Sequence, residues 1–125
     1  MFIEIDPQSP QPIFEQIALQ IKFAVAAGTV RSDEFVPSVR ELATSLALNP
    51  NTIARAYREL QNENIIAAQR GIGLVVVPGA KEICIEQRQD YFAKKFNDFI
   101  NETERSRLSK DDVKQIVSRA MNINK

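Results

Sequence analysis

Three features of the 125-residue sequence predict a mostly helical α+β fold: a winged helix-turn-helix followed by a two-helix C-terminal segment. Apolar residues recur at helical spacing in three N-terminal blocks, and only a short connection separates the second from the third. A pair of β-prone runs around a glycine turn comes next. Pro78-Gly79 then punctuates the chain, and two further helical blocks follow. Helix, paired helices and hairpin, in that order, are the parts of a winged helix.

Each element has its own signal. Phe2 to Ile5 alternates apolar and polar and reads as a short strand. Pro12 opens a helix, where a missing N–H costs nothing, and Ile13, Ile17, Ile21, Ala24 and Val25 form its stripe. Gly28 is a natural stop. Thr29 to Val36 reads as a polar turn. Ser38 and Glu41 have capping-box spacing ahead of a stripe of Val39, Leu42, Ala43 and Leu46. Asn49 caps the third helix, Pro50 is its first residue, and Ile53, Ala56, Tyr57 and Leu60 are its buried side. Asn64 suits a left-handed end.

Ile65 to Gln69 and Leu74 to Val77 flank Arg70-Gly71-Ile72-Gly73 and predict a hairpin. Pro78-Gly79 is the expected boundary between a domain at 1–78 and a segment at 79–125. In that segment one helix spans about 81–105, and a second starts at Ser109, which caps a first turn carrying Asp111 and Asp112.

Composition excludes several functions. The chain has no histidine and one cysteine, which rules out His-based catalysis and the common zinc ligand sets. Neither a P-loop nor a G-x-G-x-x-G motif is present. No cofactor or metal is expected. Cys84 has no partner for an internal disulfide, which fits a reducing cytoplasm. MFIEIDPQSP lacks the basic start and apolar run of a signal peptide, and no stretch is apolar enough to span a membrane. Net charge is zero, and residues 1–79 carry six basic and eight acidic side chains. Bulk charge thus gives no support to nucleic-acid binding; the placement of the cations decides it.

That placement is informative. Asn51, Thr52 and Arg55 share a face of the third helix opposite Ile53, Tyr57 and Leu60. Asparagine pairs bidentately with adenine and arginine with guanine, so a helix with these residues near its N-terminus is equipped for a major groove. Arg40 projects from the preceding helix, and Ser38 at that helix's N-terminus suits a phosphate.

Three linked motifs carry a family resemblance: Pro12-Ile13-Phe14-Glu15-Gln16-Ile17, Val36-Pro37-Ser38-Val39-Arg40-Glu41-Leu42-Ala43, and Asn49 through Leu60 (NPNTIARAYREL). In that order they resemble the GntR family of bacterial regulators, and the NPNT-x-ARAYREL run with a short tail resembles its YtrA subfamily. The resemblance covers residues 2–77. It implies a homodimeric, repressor-type regulator that contacts operator DNA through Ser38, Arg40, Asn51, Thr52, Arg55, Arg70, Gly71 and Gly73. Arg58, on the third helix, joins them as a candidate. There are departures. Ser32-Asp33 stands where the family has Pro-Gly, Asn64 where it has glycine, and Ile72 where it has a basic wing residue. Arg70 is thereby the wing's one cation.

Plainer readings compete at several positions. The arginines could pair with neighbouring carboxylates. Tyr57 belongs to the apolar stripe and is assigned to the core, and Asn49 is assigned to capping. Phe92, Phe96, Phe99 and Ile100 have helical core spacing. The stripe facing them, Val113, Ile116, Val117 and Ala120, is too narrow to cover them, so these four are assigned to a homodimer interface. Two short helices enclose little volume, so no dedicated effector pocket is expected. The sequence therefore predicts a dimeric DNA-binding transcription regulator. The alternative is a winged helix used only to bind protein.

Overall fold

A computed structural model of the chain describes residues 2–122. Its elements are α1 (Ile13–Ala26), α2 (Val39–Leu46), α3 (Pro50–Asn62), β1 (Ile66–Gln69), β2 (Gly73–Val76), α4 (Ala80–Arg105) and α5 (Lys110–Met121). This is the mostly helical α+β arrangement that the sequence predicts. Residue contacts gather the chain into two compact units, one reaching to Arg88 and the other beginning at Gln89.

The first unit is built on α1 and α3. Ile17, Ile21 and Val25 of α1 and Ile53, Ala56, Tyr57 and Leu60 of α3 are buried together with Leu42, Ala43, Ile65, Ile66 and Val76. Each fully buried Ile or Leu stabilises the unit by roughly 1.5–3 kcal/mol. The anticipated caps are present. Ser38 Oγ accepts from the Glu41 N–H and Glu41 Oε1 accepts from the Ser38 N–H, closing the capping box of α2. Asn49 Oδ1 accepts from the Asn51 N–H at 2.8 Å at the head of α3. At the end of α1 the Thr29 N–H reaches back to the Ala24 carbonyl at 2.9 Å. That closing turn needs the left-handed backbone of Gly28, whose φ is +82°.

β1 and β2 pair antiparallel, with Ile66 opposite Val76 and Gln69 opposite Gly73. Arg70, Gly71 and Ile72 form the turn. Gly71 and Gly73 both have positive φ, +73° and +146°, which explains the two glycines sterically.

Two sequence expectations fail. Phe2 to Ile5 is not a strand. Its backbone is bound instead by side chains of α1. The Glu4 N–H donates to Gln20 Oε1 at 2.9 Å and Gln20 Nε2 donates to the Glu4 carbonyl. Gln16 does the same for Asp6, at 2.9 and 3.0 Å, and also donates to the Gln11 carbonyl. Two glutamines one turn apart thus do the work of a neighbouring strand. The second failure is Thr29 to Val36, which is more than a turn. Phe35 bridges to Val75, and the Val36 N–H donates to the Leu74 carbonyl at 2.9 Å. A single bridging residue leaves no alternating pattern to read.

The first unit extends past Pro78-Gly79 because the opening turns of α4 belong to its core. Ala80 and Cys84 are fully buried. Burial pushes the Cys84 thiol up to about 11, against the pull of Lys22. Lys22 Nζ lies 3.0 Å from both carboxylate oxygens of Glu63, and Gln87 Nε2 donates to Oε1 of the same carboxylate. This cluster joins α1, the end of α3 and α4.

In the second unit α4 ends as predicted, and Ser109 Oγ accepts from the Asp112 N–H to cap α5. Thr103 is buried, and its hydroxyl donates to the Ile100 carbonyl at 2.7 Å.

Between α2 and α3 the chain turns at Ala47, whose φ of 55° is left-handed. A Cβ in that region costs about 1–2 kcal/mol, part of which a glycine returns through its freer unfolded state. Ala47→Gly is therefore expected to stabilise the first unit by roughly 0.5–1 kcal/mol and to raise the melting temperature by a few degrees. Thermal unfolding followed by circular dichroism checks this, and an unchanged or lower midpoint would contradict it.

Candidate nucleic-acid interface

The buried side of α3 fixes which residues it shows to solvent. With Ile53, Ala56, Tyr57 and Leu60 facing inward, Asn51, Arg55 and Arg58 are exposed on the opposite side and Thr52 is half-buried at its flank. Arg40 is exposed on α2. Arg70, Gly71 and Gly73 are exposed at the hairpin tip, carried by β1 and β2 and apart from the helix pair in sequence. All nine candidates, Ser38 included, lie in the first unit.

α2 is tied to α3 through Tyr57. Its hydroxyl donates to the Pro37 carbonyl at 2.7 Å, immediately before the Ser38 cap. The ring is buried, as its place on the apolar stripe requires. Burial, reinforced by the Glu41 charge, holds the phenol well above its ordinary range, so it stays a neutral donor. The bond sets the start of α2, and so Ser38 and Arg40, against α3. Ser38 Oγ accepts from the Glu41 N–H in the cap, at the exposed N-terminus of α2. The Ser38 N–H and hydroxyl hold the Glu41 carboxyl below its usual value, so the capping box weakens as pH falls through the carboxylate range.

The electrostatics of the face differ from those of the whole chain. Among the described residues none of Arg40, Arg55, Arg58 and Arg70 is in an ion pair. Glu59, four residues from Arg55 and well spaced to bind it, does not. The Arg55 guanidinium lies over the ring of Phe14, 3.8 Å from its centroid. Phe14 is the residue of this region that sequence reasoning missed. It sits in the first motif, beside the α1 stripe, and only the packing of α1 against α3 brings it to Arg55.

Among the described residues no carboxylate or cysteine cluster is arranged to hold a metal, and no helix is long and apolar enough to cross a membrane.

A capped helix pair, an exposed arginine face and a glycine-tipped hairpin are the parts of a winged-helix regulator. The chain belongs to the gntR family of bacterial regulatory proteins, whose family model matches residues 13–76. It is a DNA-binding transcription regulator and not an enzyme. It is 40% identical over 98 residues, 78% of this chain and 75% of the relative, to the HTH-type transcriptional repressor YtrA of Bacillus subtilis. Two solved structures share the architecture over 96% of this chain. One is a transcriptional regulator from Oenococcus oeni, with a TM-score of 0.75, 28% identity and 99% of that chain covered. The other is a GntR family regulator from Listeria monocytogenes, with a TM-score of 0.72, 33% identity and 100% of that chain covered.

Proposed function

We propose that this chain is a cytoplasmic, homodimeric repressor that binds a palindromic operator. Residues 1–78 serve as the DNA-binding domain and residues 79–125 as the dimerisation segment, with no dedicated effector pocket. α3 enters the major groove and presents Asn51, Thr52, Arg55 and Arg58 to base edges. Ser38 and Arg40, at the head of α2, take phosphate or flanking bases, and Arg70, Gly71 and Gly73 approach the backbone beside the groove. The observation that carries this reading is the α3 face. Among the described residues its exposed arginines are left without carboxylate partners, although Glu59 is within a helical turn.

The tail supports a dimer. In the second unit Phe92 and Phe96 are 54% and 50% exposed, Phe99 and Ile100 are half-buried, and α5 has no buried residue. A second copy would take this apolar surface out of water. A two-fold pair also supplies two recognition helices for half-sites about 34 Å apart.

Zero net charge favours a second reading, a winged helix that binds protein alone. Duplexes selected by the chain from a random DNA library separate the two. The proposal expects a palindrome to emerge, with affinity falling steeply and log-linearly with salt. No enriched sequence, or salt-independent binding, would favour the second reading.

The wing gives a further test. Ile72 is 63% exposed at the tip. Ile72→Lys is expected to tighten binding at low salt for the selected and a scrambled duplex alike, and the gain should fade as salt rises. Anisotropy measures both. Unchanged or weaker affinity at low salt would place the wing away from DNA.

A further inference from the structure

We infer that Phe14 is a positioning residue for DNA readout: its ring is the platform that holds Arg55 ready for guanine. This rests on the DNA-binding reading of α3 and adds a residue outside the helix pair and the wing. The guanidinium carbon of Arg55 is 3.8 Å from the Phe14 ring centroid, which places the cation over the ring face. Phe14 is half-buried and packed against the hydrophobic core, so the platform is anchored. Arg55 is exposed and makes no ion pair among the described residues, with Glu59 one turn away.

The geometry matters because a guanidinium is planar. Attraction to a ring needs no carboxylate partner, so it leaves N–H donors available. Those donors form the fork that meets O6 and N7 of guanine. A salt bridge to Glu59 would spend them. A free arginine would lose rotamer entropy on reaching the base, and one already held over a ring has lost part of it before DNA arrives. Phe14 thus acts on affinity and base preference through Arg55.

The test uses the full chain and the palindrome that the wild-type chain selects from a random library. Phe14→Leu keeps apolar volume and removes the ring. It is expected to weaken binding by roughly two- to fivefold per half-site. It should also relax preference at the base pairs that Arg55→Ala relaxes. In the Arg55→Ala background Phe14→Leu should add nothing, and Phe14→Tyr should restore wild-type behaviour. Should Phe14→Leu fail to fold by circular dichroism, Arg55→Lys, at an exposed position, carries the test. It keeps the charge, loses the planar face, and should relax the same base pairs. The inference is overturned if the two losses are additive, if Phe14→Leu or Arg55→Lys behaves as wild type, or if Arg55→Ala does not alter binding. In each of those outcomes the wild-type chain still selects its duplex, and the DNA reading stands. A wild-type chain that selects no duplex would remove that reading, and this inference with it.

Discussion

Arg40→Ala and Arg55→Ala are each expected to weaken operator binding sharply while leaving the fold intact. Both side chains are exposed and neither is in an ion pair among the described residues, so their removal uncovers no buried charge. An arginine that reads guanine contributes roughly 1–3 kcal/mol of discrimination, and a two-fold complex loses that at both half-sites. An arginine that holds only phosphate gives a different signature: specific and non-specific binding fall together, and the salt slope shrinks by about one per lost contact. Arg55 is expected to show the first pattern, because Phe14 orients its fork. Arg40, on the helix that leads into the groove, can follow either. Anisotropy against the selected and a scrambled duplex at several salt concentrations distinguishes the patterns. Wild-type affinity in both variants would remove α2 and α3 from the interface.

Phe96→Asp is expected to give monomers whose operator affinity drops toward the non-specific level. Phe96 is half-exposed in the single chain and its ring lies 6.0 Å from that of Phe99. A carboxylate there costs the free chain little and would be buried without a partner in a dimer. Specific sites bind roughly 10³–10⁷ tighter than non-specific ones, and a monomer forfeits the second half-site that supplies much of this difference. The first unit has its own core and should keep its circular dichroism and melting behaviour. Sedimentation decides the matter: a variant that still runs as a tight dimer would place the interface elsewhere.

Much of this architecture is legible in the sequence because it is local. A capping box, an Asn-Pro helix start and an i, i+3, i+4 stripe act within one or two turns, and Ser38, Asn49 and the stripe of α3 appear where the residues place them. What stays hidden depends on contacts between distant segments. Nothing local says that Gln16 and Gln20 will bind the backbone of residues 4–6, so an alternating run passes for a strand. Phe35 pairs with Val75, forty positions away, through one bridge.

Left-handed turns are visible where glycine or asparagine marks them, as at Gly28 and Asn64. They are invisible at Ala47 and Arg107, where the surrounding helix ends impose the conformation on residues that do not favour it. Asp33 has a φ of 69° at the place where the family carries glycine, so that departure keeps the turn and changes only the residue that makes it. The candidate face shows the same division. Its arginines follow from the helical period, whereas the Phe14 platform under Arg55 exists only once α1 packs on α3.

In the proposed complex the face made by α2 and α3 recognises a DNA sequence, two chains to a duplex. Titration of the labelled palindrome and of a scrambled duplex of equal length, followed by anisotropy at near-physiological salt, tests it most directly. Saturation is expected at two chains per palindrome, with an affinity at least about 10³ greater than for the scrambled duplex. Equal affinity for the two duplexes, or no binding to either, would contradict it.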